Sequence, residues 1–407
     1  MRLLPLLCLF GISLSAQEWT RFRGPNGSGI SEATGIPTSW TRSNYRWIVD
    51  LPGRGHSSPV LWGDMLFVTC TDDTVGGTVL LCYHAKSGQP MWRRNFSYPK
   101  TPQHKFNSFA TSTPALDSER VYLTWGNDIT CVLLALTHGG EDAWERNLGP
   151  LQSQHGFGFS PIVVDGKVIV QNEQLGASSL VAFDSKTGAL KWQAKRESGV
   201  KTTYSTPCLY TPEGGKPQLV LTSQAGGVYA LSPEDGKEIW RLPNLFTKRT
   251  VASPVIGQGL VFGSGGAGNK ADSLVAVQIP GRKSAKPKLA YKILARKAPY
   301  VPTSVIYASN IFVISDVGVA SCHDVKTGAE KWMKKLDAAG GFFGSPVCVN
   351  GVIYCISKHG DVAIFKAADS YQPFDTVKLF EESYATPSVA NDHMYLRTAR
   401  KIYCLGN

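Results

Sequence analysis

Short apolar runs broken by turn residues recur along the whole chain, as in "GKVIVQ" (Gly166 to Gln171), "SLVAF" (Ser179 to Phe183) and "IFVIS" (Ile311 to Ser315). No apolar pattern of helical spacing lasts longer than a turn or two. The chain therefore reads as short β-strands joined by tight turns.

Two landmarks give these strands a period. A glycine precedes a tryptophan by four residues at Gly88/Trp92, Gly140/Trp144, Gly188/Trp192, Gly236/Trp240 and Gly328/Trp332. A Ser/Thr-Pro step opens a strand at Pro59, Pro114, Pro161, Pro207, Pro254, Pro346 and Pro387, with a degenerate copy at Thr303-Ser304. Eight openings between residues 59 and 387 give a mean period of about 47 residues, the scale of propeller blades and stacked arrays. Each period holds about four strands, and one such sheet cannot bury both of its faces alone. The expected fold is all-β: a single eight-bladed propeller of four-stranded antiparallel sheets. The last period stops at "KIYCLGN" without its Trp-bearing strand, while "NYRWIVDLPG" is spare near the start. Trp47 is thus expected to complete blade 8.

The recurring tryptophans, Trp47, Trp92, Trp144, Trp192, Trp240 and Trp332, read as structural docking residues between blades. The glycine before each should take a positive φ in the turn between the two outer strands, and Asp184 and Thr187 should satisfy backbone donors there. "GSGGAGNKADS" and "GPNGSGI" have neither the Lys-Ser/Thr pair nor the following helix of a phosphate loop, and read as turns.

The first residues, "MRLLPLLCLFGISLSA", have one Arg, a short apolar stretch and small residues before Gln17, as in an export signal. The expected organisation is a signal at 1–16 and one propeller over 17–407, periplasmic or secreted, monomeric and without a membrane span. Export draws attention to the eight remaining cysteines. Cys82, Cys322 and Cys404 align with Ala135, Ala182, Ala230 and Ala276, a slot for a small buried side chain that a free thiol fills. A two-residue turn at "VNGV" would pair Cys348 with Ile353 and leave Cys355 diagonal to it. The net charge of +11 comes from scattered basic residues. That argues against nucleic acid and is compatible with an anionic partner.

If the ring has a site, the segments before the Ser/Thr-Pro steps gather it at one mouth of the channel. His56, His155, Tyr204, Arg249, Tyr300, Phe342 and Tyr384 become neighbours there, a mixture suited to a polar or anionic organic ligand. Two histidines without a third ligand give no metal site. Protonation of these imidazoles in mild acid would strengthen binding of an anion.

The element Ala-x-Asp-x-x-Thr-Gly-x-x-x-Trp, complete in "AFDSKTGALKW" and nearly so in "SCHDVKTGAEKW" and "ALSPEDGKEIW", resembles the repeat of the pyrroloquinoline quinone (PQQ) dehydrogenase-like eight-bladed propellers and their non-enzymatic BamB-like relatives. "FRGPNGSGISEATGIPTSW" with "LPGRGHSSPV" is similar to exported single-propeller proteins of that superfamily. The resemblance covers nearly all of residues 17–407 and leaves two functions open. One is an exported, non-catalytic binding or scaffold propeller with no cofactor, taking a protein, peptide or anionic polymer of the cell envelope. The other is a PQQ-dependent or other small-molecule oxidoreductase using the channel mouth, with PQQ and calcium as its cofactor. The enzymes' vicinal cysteines, Cys-x-x-Cys-His haem motif and calcium-ligand cluster have no counterpart in this sequence, and no catalytic residue carries over by motif.

Overall fold

In a computed structural model the described residues are 18–406, leaving out 73, 75, 76, 98–100, 102, 103, 200, 269, 282–285, 295 and 296. The expected export signal at 1–16 lies outside them. The described strands form eight antiparallel blades of four strands in a ring. Blade 1 is typical: Val60–Trp62 is innermost, followed outward by Met65–Asp72, Gly77–His84 and Pro90–Phe96. Blade 8 takes three strands from Ser388–Ala390, His393–Arg397 and Lys401–Gly406, and its outermost strand is Tyr45–Asp50. There Trp47 pairs with Cys404, so the ring closes through strands from both ends of the described chain.

Both landmarks have a physical basis. The small residue in the third strand is the cross-strand partner of the tryptophan: Cys82 faces Trp92, Ala182 faces Trp192, and Cys322 faces Trp332. A bulge follows at each of these pairs. Five of the six indoles then donate to the next blade. Trp47 Nε1 donates to Ala85 O at 3.0 Å, Trp144 to Ser185 O at 3.0 Å, and Trp192 to Pro233 O at 3.1 Å. Gly188 has φ 67°, and a Cβ there would lie 2.6 Å from the Trp144 ring. Its turn therefore requires glycine for both conformation and close approach. Asp184 Oδ1 accepts the amides of Lys186 and Thr187 and the Thr187 hydroxyl.

Trp240 differs. Its indole donates to Gln218 Oε1 of its own blade. In blade 5 a tyrosine takes the tryptophan position: Tyr291 pairs with Ala276, packs over Gly328 and donates its hydroxyl to Val325 O.

The Ser/Thr-Pro steps form a girdle around the channel. The amide of Ser58 donates to Thr113 Oγ1 (2.9 Å), Thr113 to Ser160 Oγ (3.0 Å), and Thr206 to Ser253 Oγ (2.9 Å). The sequence Ser253, Thr303, Ser345, Thr386 continues it at 2.9 Å per step, and Thr386 donates to Ser58 at 3.2 Å. At seven of the eight strand openings the hydroxyl is thus the acceptor for the preceding blade's amide.

Inside the girdle runs a segment that the repeat does not account for. Trp19 bridges Leu61 of blade 1, and Ile30–Ser31 adds a parallel fifth strand to the inner edge of blade 7. Between them Arg23, fully buried, donates to Pro346 O and Ser304 O at 2.8 Å and to Thr303 O at 3.2 Å. Its remaining bonds go to Gly27 O and Ser28 O, so backbone carbonyls alone disperse its charge. Arg21 donates to Pro207 O of blade 4. Burial lowers both guanidinium pKa values, to about 9 for Arg23 and about 10 for Arg21. "GPNGSGI" is a turn, as read, and it belongs to this plug.

All eight described cysteines are free and buried. Cys348 pairs with Ile353, as the hairpin turn requires.

Candidate functional site

The mouth of the channel holds a cavity of about 340 Å³, within the usual range for small-ligand sites of ~300–1,000 Å³. Its wall follows one rule of position. The third residue before each strand opening lines it in all eight blades: His56, Thr111, Gly158 and Tyr204, then Val251, Val301, Phe343 and Tyr384. Six residues of the hydroxyl girdle lie below them, and Phe22 of the plug forms the floor.

Of the seven residues expected at the mouth, His56, His155, Tyr204, Arg249, Tyr300 and Tyr384 line this cavity. Phe342 does not. It is fully buried in the core between blades 6 and 7 and bridges Ser357. Side chains alternate across an extended backbone, so Phe343 is the one that faces the channel. The uniform offset of three residues would have selected it.

Local structure fixes each polar group. His56 packs edge-on against Tyr384, with ring centroids 4.6 Å apart. Tyr204 OH shares a 2.6 Å hydrogen bond with Ser153 Oγ and donates to Gly156 O. Tyr300 is held through its backbone: the Asp316 carboxylate accepts its amide at 2.6 Å and that of Val301 at 3.2 Å. Burial raises Asp316 to about 6. Arg249 rests on the glycine-rich strand of blade 5, where Gly266 N donates to Arg249 O at 3.0 Å. A Cβ on Gly263 would lie 2.7 Å from Thr222, and one on Gly265 would lie 3.2 Å from Phe246. The glycines of "GSGGAG" are the bed on which the loop carrying Phe246 and Arg249 lies.

One part of the wall comes from a connection that the repeat does not describe. His104 and Phe106, between blades 1 and 2, reach over the mouth. His104 stacks edge-on against His155 (4.3 Å), while Phe106 meets Phe343 (5.6 Å) and Tyr384 (6.3 Å) on the other side. Asn107 secures this arm through Nδ2, which donates to His155 O and Phe157 O.

His56 does not supply the expected switch. Burial, with Arg397 and Arg54 adding to it, lowers His56 to about 3, and His104 is lowered by burial, Lys105 and Arg249. The His56 ring therefore stays neutral in mild acid.

A family model described as outer membrane protein assembly factor BamB matches residues 75–333, well over half of the chain. The chain belongs to this BamB family. BamB from Moraxella catarrhalis superposes with a TM-score of 0.61 at 14% identity, covering 89% of this chain and 98% of that one. A quinohemoprotein alcohol dehydrogenase from Pseudomonas putida HK5 gives 0.63 at 11% identity, covering 96% and 80%. The computationally designed protein Ika8 gives 0.61 at 10%, covering 88% and 98%. At these identities the likeness to solved structures carries the fold alone. Curated proteins give no match.

The quinoprotein neighbour raises a question of fit that the lining of this BamB-family cavity answers. Calcium needs six to eight oxygen ligands, usually including carboxylates. None of the described lining residues is Asp or Glu, and no group of three or more His, Cys, Asp and Glu among the described residues could hold a metal ion. The donor set does not fit a calcium-bridged quinone. No described helix is long and apolar enough to cross a membrane.

Proposed function

We propose that this BamB-family propeller is an exported, non-catalytic binding or scaffold protein that takes a protein or peptide partner at the channel mouth. The carrying observation is the cavity wall: aromatic rings, imidazoles and the Arg249 guanidinium, with no carboxylate among the described lining residues. The lining hydroxyls also argue for binding over catalysis. Thr113, Ser345 and Thr386 accept backbone amides in the girdle, whereas a nucleophile needs a base within hydrogen-bond reach. The BamB in the family description is an assembly factor for outer-membrane proteins, which favours a protein partner in the cell envelope.

A photo-crosslinking residue placed at Thr111 on the cavity wall should capture a partner from envelope extract, while one at Lys288 on an outer strand should not. Equal capture at both positions would remove the mouth from the reading. A quinone absorbance band and dye-linked alcohol oxidation on adding PQQ with Ca²⁺ would replace it with the oxidoreductase.

A further inference from the structure

The cavity is blind. Phe22 floors it, on a segment that Arg21 and Arg23 tie to the inner edges of blades 4, 6 and 7. A polypeptide entering the mouth cannot continue through the ring. A single extended chain end can occupy such a space, whereas an internal segment would have to turn back on itself within about 340 Å³.

One wall of this blind cavity carries a cation without a counter-ion among the described residues. Arg249 is 7% exposed. Its Nη2 donates to Gln154 Oε1 at 2.6 Å, and its Nε has no acceptor among the described residues. Burial depresses its pKa, and the group that acts in the other direction is the Tyr300 phenol, not a carboxylate. The carboxylates nearest the mouth have other partners. Glu382 pairs with Arg54, and Asp316 accepts the Tyr300 and Val301 amides. More positive charge lies at the rim, with Lys358 Nζ 4.7 Å from the Phe343 ring centre and Lys105 Nζ 5.0 Å from that of Phe106. A buried guanidinium without a carboxylate partner gains most from an ionised, planar acceptor, because charge-assisted bonds to a carboxylate are shorter and stronger than neutral ones.

We propose that the cavity captures the free C-terminal carboxylate of a peptide chain, with Arg249 as the anchor and the aromatic wall receiving the last side chains. The dead end selects a chain terminus over a loop. The sign of the charge selects the C-terminus over the N-terminus, whose ammonium would meet Arg249 as a like charge. Phe106, Phe343 and Tyr384 are placed to take apolar side chains next to that carboxylate. The inference rests on the mouth being the binding site and specifies what it recognises.

The test uses three fluorescein-labelled peptides on the chain from Gln17: Gly-Ser-Ala-Leu-Leu with a free carboxylate, its C-terminal amide, and the same five residues extended by Gly-Gly-Ser-amide. Fluorescence anisotropy should show the free acid binding at least ~10-fold tighter than either other peptide, as loss of a charge-assisted hydrogen bond implies. Arg249→Gln should abolish that preference at unchanged melting temperature, and Arg249→Lys, which keeps the charge without the planar fork, should retain part of it. Equal affinity for acid and amide in the unmodified chain overturns C-terminal capture and leaves the mouth as a binding site. No binding of any of the three overturns both readings. Phenylacetate displacing the free acid at equal concentration would reassign the cavity to small organic acids.

Discussion

The amide of Thr386 donates to the hydroxyl of Ser58 at 3.2 Å across 328 residues of sequence. This bond joins blade 8 to blade 1 with the same chemistry that joins neighbouring blades elsewhere. The Velcro strand carrying Trp47 closes the outside of the ring, and this contact closes the inside.

Removing one hydroxyl from the girdle leaves a buried amide without an acceptor. Thr386→Val keeps the shape and deletes the acceptor of the Ser345 amide, so it should cost ~1–3 kcal/mol, while Thr386→Ser should be nearly neutral. Urea unfolding midpoints at constant m-value would check this. Equal stability of the two variants would mean that water replaces the hydroxyl.

Trp192 is 8% exposed, packs over Gly236 and donates to Pro233 O. Trp192→Ala should destabilise by roughly 3–5 kcal/mol, as truncating a buried aromatic does. Peptide affinity at the mouth should stay the same, because the indole lies in the outer strand. Lost affinity with native stability would contradict the docking role.

His56 and Asp316 oppose each other in their effect on acid stability. The His56 pKa falls from 6.5 to about 3 on folding, so over that range the unfolded chain binds more protons and stability falls as pH falls. The Asp316 pKa rises from 3.8 to about 6, so between those values the folded protein binds more protons and stability rises as pH falls. His56→Gln should therefore be relatively more stable in acid than the parent, and Asp316→Asn relatively less. Unfolding midpoints from about pH 4 to about pH 6 measure the two slopes; parallel curves for all three proteins would refute the assignment.

Burial pushes the thiols up, to about 11 for Cys70 and about 12 for Cys82, Cys131 and Cys208. Thiolate is the reactive form. In native buffer Ellman's reagent should leave the chain from Gln17 unlabelled, and in denaturant it should count the eight thiols left once Cys8 is outside that chain. A fast-reacting fraction in the native state would mean that one of these thiols reaches solvent.

The repeat was legible because each blade reuses local chemistry that a sequence shows directly: a glycine turn under an indole and a hydroxyl before a proline. Exceptions escaped where another residue meets the same need. Tyr291 reaches the next blade's carbonyl with a hydroxyl in place of an indole N–H. In blade 7 the tryptophan position is Asp375, across from Ile364, and the edge is covered by an N-terminal strap, residues 18–44, where Ser39 donates to Asp375 and Tyr354 donates to Pro37 O. The site was legible as a set of neighbours because ring position follows period. Phe342 was chosen over Phe343 because alternation along a strand turns a one-residue offset into the opposite face. The arm with His104 and Phe106 could not be read, since it lies outside the repeat and Phe106 meets Phe343 and Tyr384, which are far away in sequence.

The N-terminal strap also fixes an orientation. Glu18 accepts the amide of Gly63 in the turn after blade 1's innermost strand, at the end of that strand away from the mouth. A bead, surface or fluorophore coupled at residue 18 would thus sit behind the ring and leave the cavity facing outward, giving a natural handle for display on a sensor chip.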